Sequence, residues 1–126
     1  MQIEIDFQSE EALYLQLRNQ IILGIATTSI REGDTLPSVR QLAETIGINM
    51  HTVNKAYLIL KQEGLLQLDR RNGAIVVLKA DKARDIEEIR AQLLPVVAKS
   101  CCKQISTEEM HDLIDDIYRE MYNTNQ

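Results

Sequence analysis

The stretch Leu36 to Leu66, LPSVRQLAETIGINMHTVNKAYLILKQEGLL, decides the fold. Pro37-Ser38 precedes a helix in which Ser38 can cap the first turn and Gln41, three residues on, can reach back as its capping-box partner. Leu42, Ala43 and Ile46 supply the buried face. Gly47 ends it, because the residue just past a helix terminus often takes the left-handed conformation that glycine adopts without strain. Asn49 is a good N-cap for the next helix, whose Val53, Ala56, Tyr57 and Leu60 fall at i, i+3, i+4 and i+7 and which Gly64 closes. Two helices joined by a tight glycine turn make a helix-turn-helix.

Upstream, Leu13, Leu17, Ile21 and Ile25 recur at four-residue spacing with Tyr14 and Ile22 beside them. This predicts an amphipathic helix from Ala12 that fades near Thr28, followed by a Gly33-Asp34 turn. Ile3, Ile5 and Phe7 alternate with Glu4 and Asp6, the period of a short half-buried strand. Downstream, Leu65, Leu66 and Leu68 lead into Asp69-Arg70-Arg71-Asn72-Gly73 and then into the β-formers Ala74 to Leu78, a hairpin with a basic tip.

The polar run Lys79 to Lys82 marks a boundary between a domain at 1–79 and a second at 80–126. Beyond it Ile86, Ile89, Leu93 and Val97 share one face of a helix that Pro95 is expected to kink or split. Ser106 with Glu109 repeats the capping-box spacing, and Met110, Leu113, Ile114, Ile117, Tyr118 and Met121 continue at helical intervals. The carboxy-terminal segment therefore reads as an acidic helical hairpin.

Composition agrees with these elements. At 126 residues and 44% hydrophobic the chain can bury a core, and 4% aromatics with no Trp favour helices packed through aliphatic stripes, so the fold class is mostly α. No run approaches the ~18 apolar residues of a membrane span. Glu4 and Asp6 stand where a secretory signal would be basic and then apolar, and a cytoplasmic location is expected. No Gly-rich phosphate loop, HExxH motif or set nucleophile is present, which argues against an enzyme and implies no cofactor. The net charge of −5 would argue against nucleic acid, but residues 38–79 carry six basic side chains against three acidic ones while both flanks are acidic.

The same run resembles the DNA-binding domain of the GntR family of bacterial transcription regulators. The resemblance rests on Gly33-Asp34, Leu36-Pro37-Ser38-Val39-Arg40, Leu42-Ala43, Gly47-Ile48, Thr52-Val53, Ala56-Tyr57, Leu60 and Glu63-Gly64-Leu65. With the flanking helix and hairpin it covers about residues 8–79 and implies a winged helix-turn-helix. Residues 80–126 are similar in size and pattern to the short dimerisation hairpin of the YtrA subfamily, whose regulated genes often include transporter operons. The resemblance implies a homodimeric repressor on a palindromic operator of double-stranded DNA.

It also implies roles. The recognition helix spans 49–62, and its first turns, which a major groove would receive, carry Met50, His51, Thr52, Asn54 and Lys55. Arg40 matches the family arginine that reads a base, and its fork suits guanine O6 and N7; the alternative is an ion pair with Glu44. Thr52 matches a position that contacts backbone or base. Met50 stands where the family often has Arg and offers a thymine methyl an apolar contact instead, and His51 could reach a phosphate or a purine N7. Arg70, Arg71 and Gly73 match the wing that enters the minor groove, and Ser38 and Lys55 are expected at phosphates.

Tyr57 reads as core. Ile86, Ile89, Leu93, Val97, Met110, Leu113, Ile117 and Met121 are the expected dimer interface. Cys101-Cys102, near His111 in sequence, lack CxxC spacing and are expected as free thiols buried among helices, with no metal. Two rivals are a winged-helix interaction module without DNA binding and a thiol- or metal-responsive regulator using that cysteine pair.

Overall fold

Aliphatic residues at four-residue spacing fold Leu13–Ala26 into α1 of the computed structural model, which describes residues 2–70 and 73–123. Thr35–Leu36 forms β1, a two-residue strand that the sequence did not reveal. The capping box at Ser38 is formed: its hydroxyl accepts from Gln41 N–H at 3.1 Å and the Gln41 side chain accepts from Ser38 N–H at 3.2 Å. It starts α2, Val39–Ile46. Gly47, at φ 73°, turns the chain into α3, Met50–Gln62, where Asn49 Oδ1 accepts from His51 N–H at 2.7 Å.

Strands β2, Leu66–Asp69, and β3, Gly73–Val76, follow, and the sheet order is β1-β3-β2, antiparallel throughout. Leu66 pairs with Val76 and Asp69 with Gly73, and Thr35 pairs with Ile75. Gly64 does two jobs. It ends α3 at φ 78°, and a Cβ there would meet the Lys79 carbonyl oxygen at 3.0 Å, where the returning chain bonds to the Gly64 carbonyl. The core lies between α1 and α3, where Leu17, Ile21, Val53, Ala56, Tyr57 and Leu60 are buried, and Leu42, Leu66, Ala74 and Val76 close it from α2 and the sheet.

The amino-terminal strand is not formed. Residues 2–6 are extended but belong to no sheet, and Phe7 is exposed while Ile3 and Ile5 pack on the core. Two glutamines of α1 take the place of a neighbouring strand. Gln16 Oε1 accepts from Asp6 N–H at 2.9 Å and its Nε2 donates to the Asp6 carbonyl at 3.1 Å and the Glu11 carbonyl at 2.9 Å. Gln20 treats Glu4 the same way, accepting from its N–H at 2.7 Å and donating to its carbonyl. Two residues of extended chain rise about 6.6 Å and four residues of helix about 6 Å, so the two spacings match.

Replacing the nearly buried Gln16 by Ala should release this arm and leave the core intact, because the lost partners serve a terminal segment. Amide exchange at Asp6 should accelerate about tenfold with α3 amides unchanged. Unaltered protection at Asp6 would show that the glutamine does not hold it.

The chain divides into two compact units at residue 80. The second contains α4, Lys82–Cys102, and α5, Thr107–Asn123. Helix α4 is not split at Pro95, although the proline lacks the N–H that would have served the carbonyl of Ala91. Ser106 and Glu109 form the expected capping box at 3.0 and 3.1 Å. Hydrogen bonding to Ser106 holds the Glu109 carboxyl below its usual range, so this cap contributes above the ordinary carboxylate pKa and fades as pH falls through the lowered value. Helices α4 and α5 are joined by a short turn and do not lie along each other. Cys101 and Cys102, expected to be buried, are both exposed: among the described residues of this unit Ser100 is the only buried one.

Candidate nucleic-acid interface

Helix α3 buries Val53, Ala56, Tyr57 and Leu60 on one side, and helical periodicity then turns Met50, His51, Asn54 and Leu58 outward. Met50 is 44% exposed at the first position of the helix, and Thr52 is half-buried. Asn49 Oδ1 accepts from the His51 backbone N–H, and the His51 side chain is exposed.

Arg40, at the second position of α2, is exposed, and the pairing with Glu44 is not made: among the described residues Arg40 has no ion-pair partner. Its guanidinium is open to an external acceptor. The Ser38 hydroxyl accepts from Gln41 N–H, so its own proton remains available to donate.

A groove of about 310 Å³ separates the start of α2 and the outer side of α3 from the sheet. It gathers Ser38, Asn54, Arg70 and Gly73 from four different elements or their ends, and Tyr57 and the acidic Asp69 also line it. Arg70 is exposed beside it, whereas Arg71, the second arginine expected at the wing tip, lies outside the described residues. Lys55, expected at a phosphate, is exposed and its ammonium sits 3.9 Å from the centre of the Tyr14 ring on α1, a cation–π contact.

Two supports escaped the sequence reading because they join residues far apart in the chain. Arg18 of α1 forms a two-pronged ion pair with Glu63 at the end of α3, with Nε to Oε1 at 2.8 Å, and this hydrogen bond holds the Arg18 pKa up against partial burial. Tyr57, 1% exposed and with its hydroxyl pKa raised by burial, donates to the Pro37 carbonyl at 2.7 Å. Among the described residues no group of three or more His, Cys, Asp or Glu could hold a metal ion, and no helix is long and apolar enough to cross a membrane.

The bacterial regulatory proteins, gntR family, match residues 10–76 of the chain. The HTH-type transcriptional repressor YtrA of Bacillus subtilis is 32% identical over 119 residues, covering 91% of each protein. The structure of YtrA from Sulfolobus acidocaldarius, described as a GntR-family transcription factor, aligns with a TM-score of 0.57 at 35% identity over 94% of this chain and 97% of that one. The DNA-binding domain of AraR, solved with operator ORX1, aligns with a TM-score of 0.53 at 26% identity, covering 61% of this chain and 99% of that domain.

Proposed function

The chain belongs to the gntR family of bacterial regulatory proteins, as a YtrA-like helix-turn-helix transcriptional regulator and not an enzyme, and from that premise we propose that it is a homodimeric repressor. It holds a palindromic operator by placing α3 in the major groove and the β2–β3 wing in the minor groove, and so keeps polymerase from a promoter, in keeping with a transporter operon as its target. The observation that carries this reading is the convergence of Ser38, Asn54, Arg70 and Gly73 on one groove, beside the outward turn of α3 and an exposed Arg40 that has no ion-pair partner among the described residues. A phosphate backbone running through that groove would meet donors from the start of α2, from α3 and from the wing. Met50, His51, Thr52 and Arg40 would then stand at base edges. The AraR domain bound to its operator supports the same use of the shared fold.

Dimerisation is supported by the apolar faces of α4 and α5. Ile86, Ile89, Leu93 and Val97 are 44–54% exposed, Leu113 and Ile117 nearly half exposed, and Met110 and Met121 partly so. The two helices do not cover one another within the chain, and an apolar surface of this extent is unusual on a monomer. A second copy related by a two-fold axis supplies matching stripes.

The test is selection of operator sequences from a random duplex library by the purified full chain at moderate salt. The expected product is a pair of inverted half-sites separated by about one or more helical turns. Failure to enrich any sequence would overturn the proposal. Within the selected operator, neutralising Arg70 and Arg71 should flatten the salt dependence of binding, each lost phosphate contact removing about 0.9 from the slope of log K against log salt. A slope equal to wild type would remove the wing from the backbone.

A further inference from the structure

Pro37 is a junction. The chain arrives there from β1, which is bonded to wing strand β3, and leaves through the Ser38 cap into α2, which carries Arg40. Its carbonyl precedes the N-cap, so it has no partner within the helix. The donor comes from the recognition helix: Tyr57 reaches it with its hydroxyl at 2.7 Å across twenty positions of sequence. Among the described residues this is the one side-chain hydrogen bond between α3 and the segment from Leu36 to Arg40.

Helix α2 is eight residues long, about 12 Å, and its carboxy-terminal end is fastened to α3 through the Gly47 turn. Arg40 is at the opposite end. With the turn as pivot, a rotation of about 5° would move that end by about 1 Å, more than the ~0.5 Å tolerance of a working recognition site. A bond at Pro37 therefore holds the end of the lever where precision is needed, and through β1 and β3 it holds the wing as well.

We propose that Tyr57 is a positioning residue for DNA recognition: its hydroxyl, through the Pro37 carbonyl, fixes Arg40 and the wing relative to the recognition helix. This rests on the DNA-binding reading above. The apolar ring would remain in the core without the hydroxyl, so packing alone does not require tyrosine at this position.

The experiment is Tyr57→Phe in the full chain, measured on the selected operator and on non-specific DNA, alone and combined with Arg40→Ala. Specific affinity should fall about tenfold while non-specific affinity stays within about twofold, because phosphate contacts tolerate small displacements that base contacts do not. Because the tyrosine acts in part through Arg40, its effect should be clearly smaller in the Arg40→Ala background than in the wild type, the remainder being exerted through the wing. Unchanged operator affinity for Tyr57→Phe, equal losses on both DNAs, or full additivity with Arg40→Ala would each overturn the proposal and leave the DNA-binding reading standing. A wild-type chain that selects no sequence would instead sink both. Should Tyr57→Phe prove unfolded at the assay temperature, 4-aminophenylalanine at position 57, which restores a para donor, should recover folding and specific binding; recovery of folding without specificity would overturn the assignment.

Discussion

A chain truncated after Lys79 should remain folded and lose between a hundredfold and ten-thousandfold in affinity for a full operator, the largest effect anticipated for any single change. The first unit keeps every residue of the buried core, from Leu17 to Val76, so its melting transition should survive. On the proposed dimer, what disappears is the pairing of two reading heads. With both on one axis, the second half-site is bound at an effective concentration set by the assembly and not by the solution. Inserting about five base pairs at the operator centre, half a turn of DNA, should reproduce most of that loss in the intact chain if the two heads are held rigidly, and survival of affinity would show that the segment from Lys79 to Lys82 is a flexible linker. Light scattering that finds the full chain monomeric while it still binds the palindrome tightly would refute dimerisation through α4 and α5.

The second largest effect is expected at Arg40. Arg40→Ala should weaken specific binding by about 1–3 kcal/mol, roughly fivefold to more than a hundredfold, and erase preference at one symmetric operator position. The exposed side chain has no ion-pair partner among the described residues, so its removal leaves no stranded charge and should barely alter the melting temperature. Arg40→Lys separates the contributions: it restores the charge without the planar fork, and should recover affinity for any DNA while leaving the lost preference unrecovered. A selection experiment in which Arg40→Ala shows the wild-type preference would remove Arg40 from base reading.

Elements governed by local chemistry were legible in the sequence. The capping boxes at Ser38 and Ser106, the Asn49 cap and the glycines at 47 and 64 act within a few residues of themselves, and each stands where the pattern placed it. The helix-turn-helix and the outward face of α3 followed from those, while the wing was read from the hairpin pattern after Leu65 and from the family resemblance. What was missed depends on partners remote in sequence. Strand β1 is two residues long and exists through its pairing with β3, and Lys55 is drawn to Tyr14 because folding lays α1 against α3. Ile3, Ile5 and Phe7 had the alternation of a strand, but alternation reports a half-buried extended chain and not what bonds to its backbone. At Pro95 the expectation was a kink or a split, and the split does not occur: one missing donor leaves α4 continuous from Lys82 to Cys102. For Cys101 and Cys102 the general preference of cysteine for interiors was overridden by a segment with almost no interior.

The side-chain ladder from Gln16 and Gln20 to the amino-terminal arm sets a rule for how this arm can change in length. Alternate residues of the arm present their backbone to the helix, so insertion or deletion of one residue among positions 2–6 would exchange the faces, turning Ile3 and Ile5 outward and an acidic side chain toward the core. A change of two residues slides the arm by one rung and keeps the faces. Length variation in close homologues should therefore come in even steps at this point. The amide groups that impose that parity also occupy backbone donors and acceptors that an exposed extended segment would otherwise offer to a neighbouring molecule, so the clasp protects the arm against edge-to-edge association.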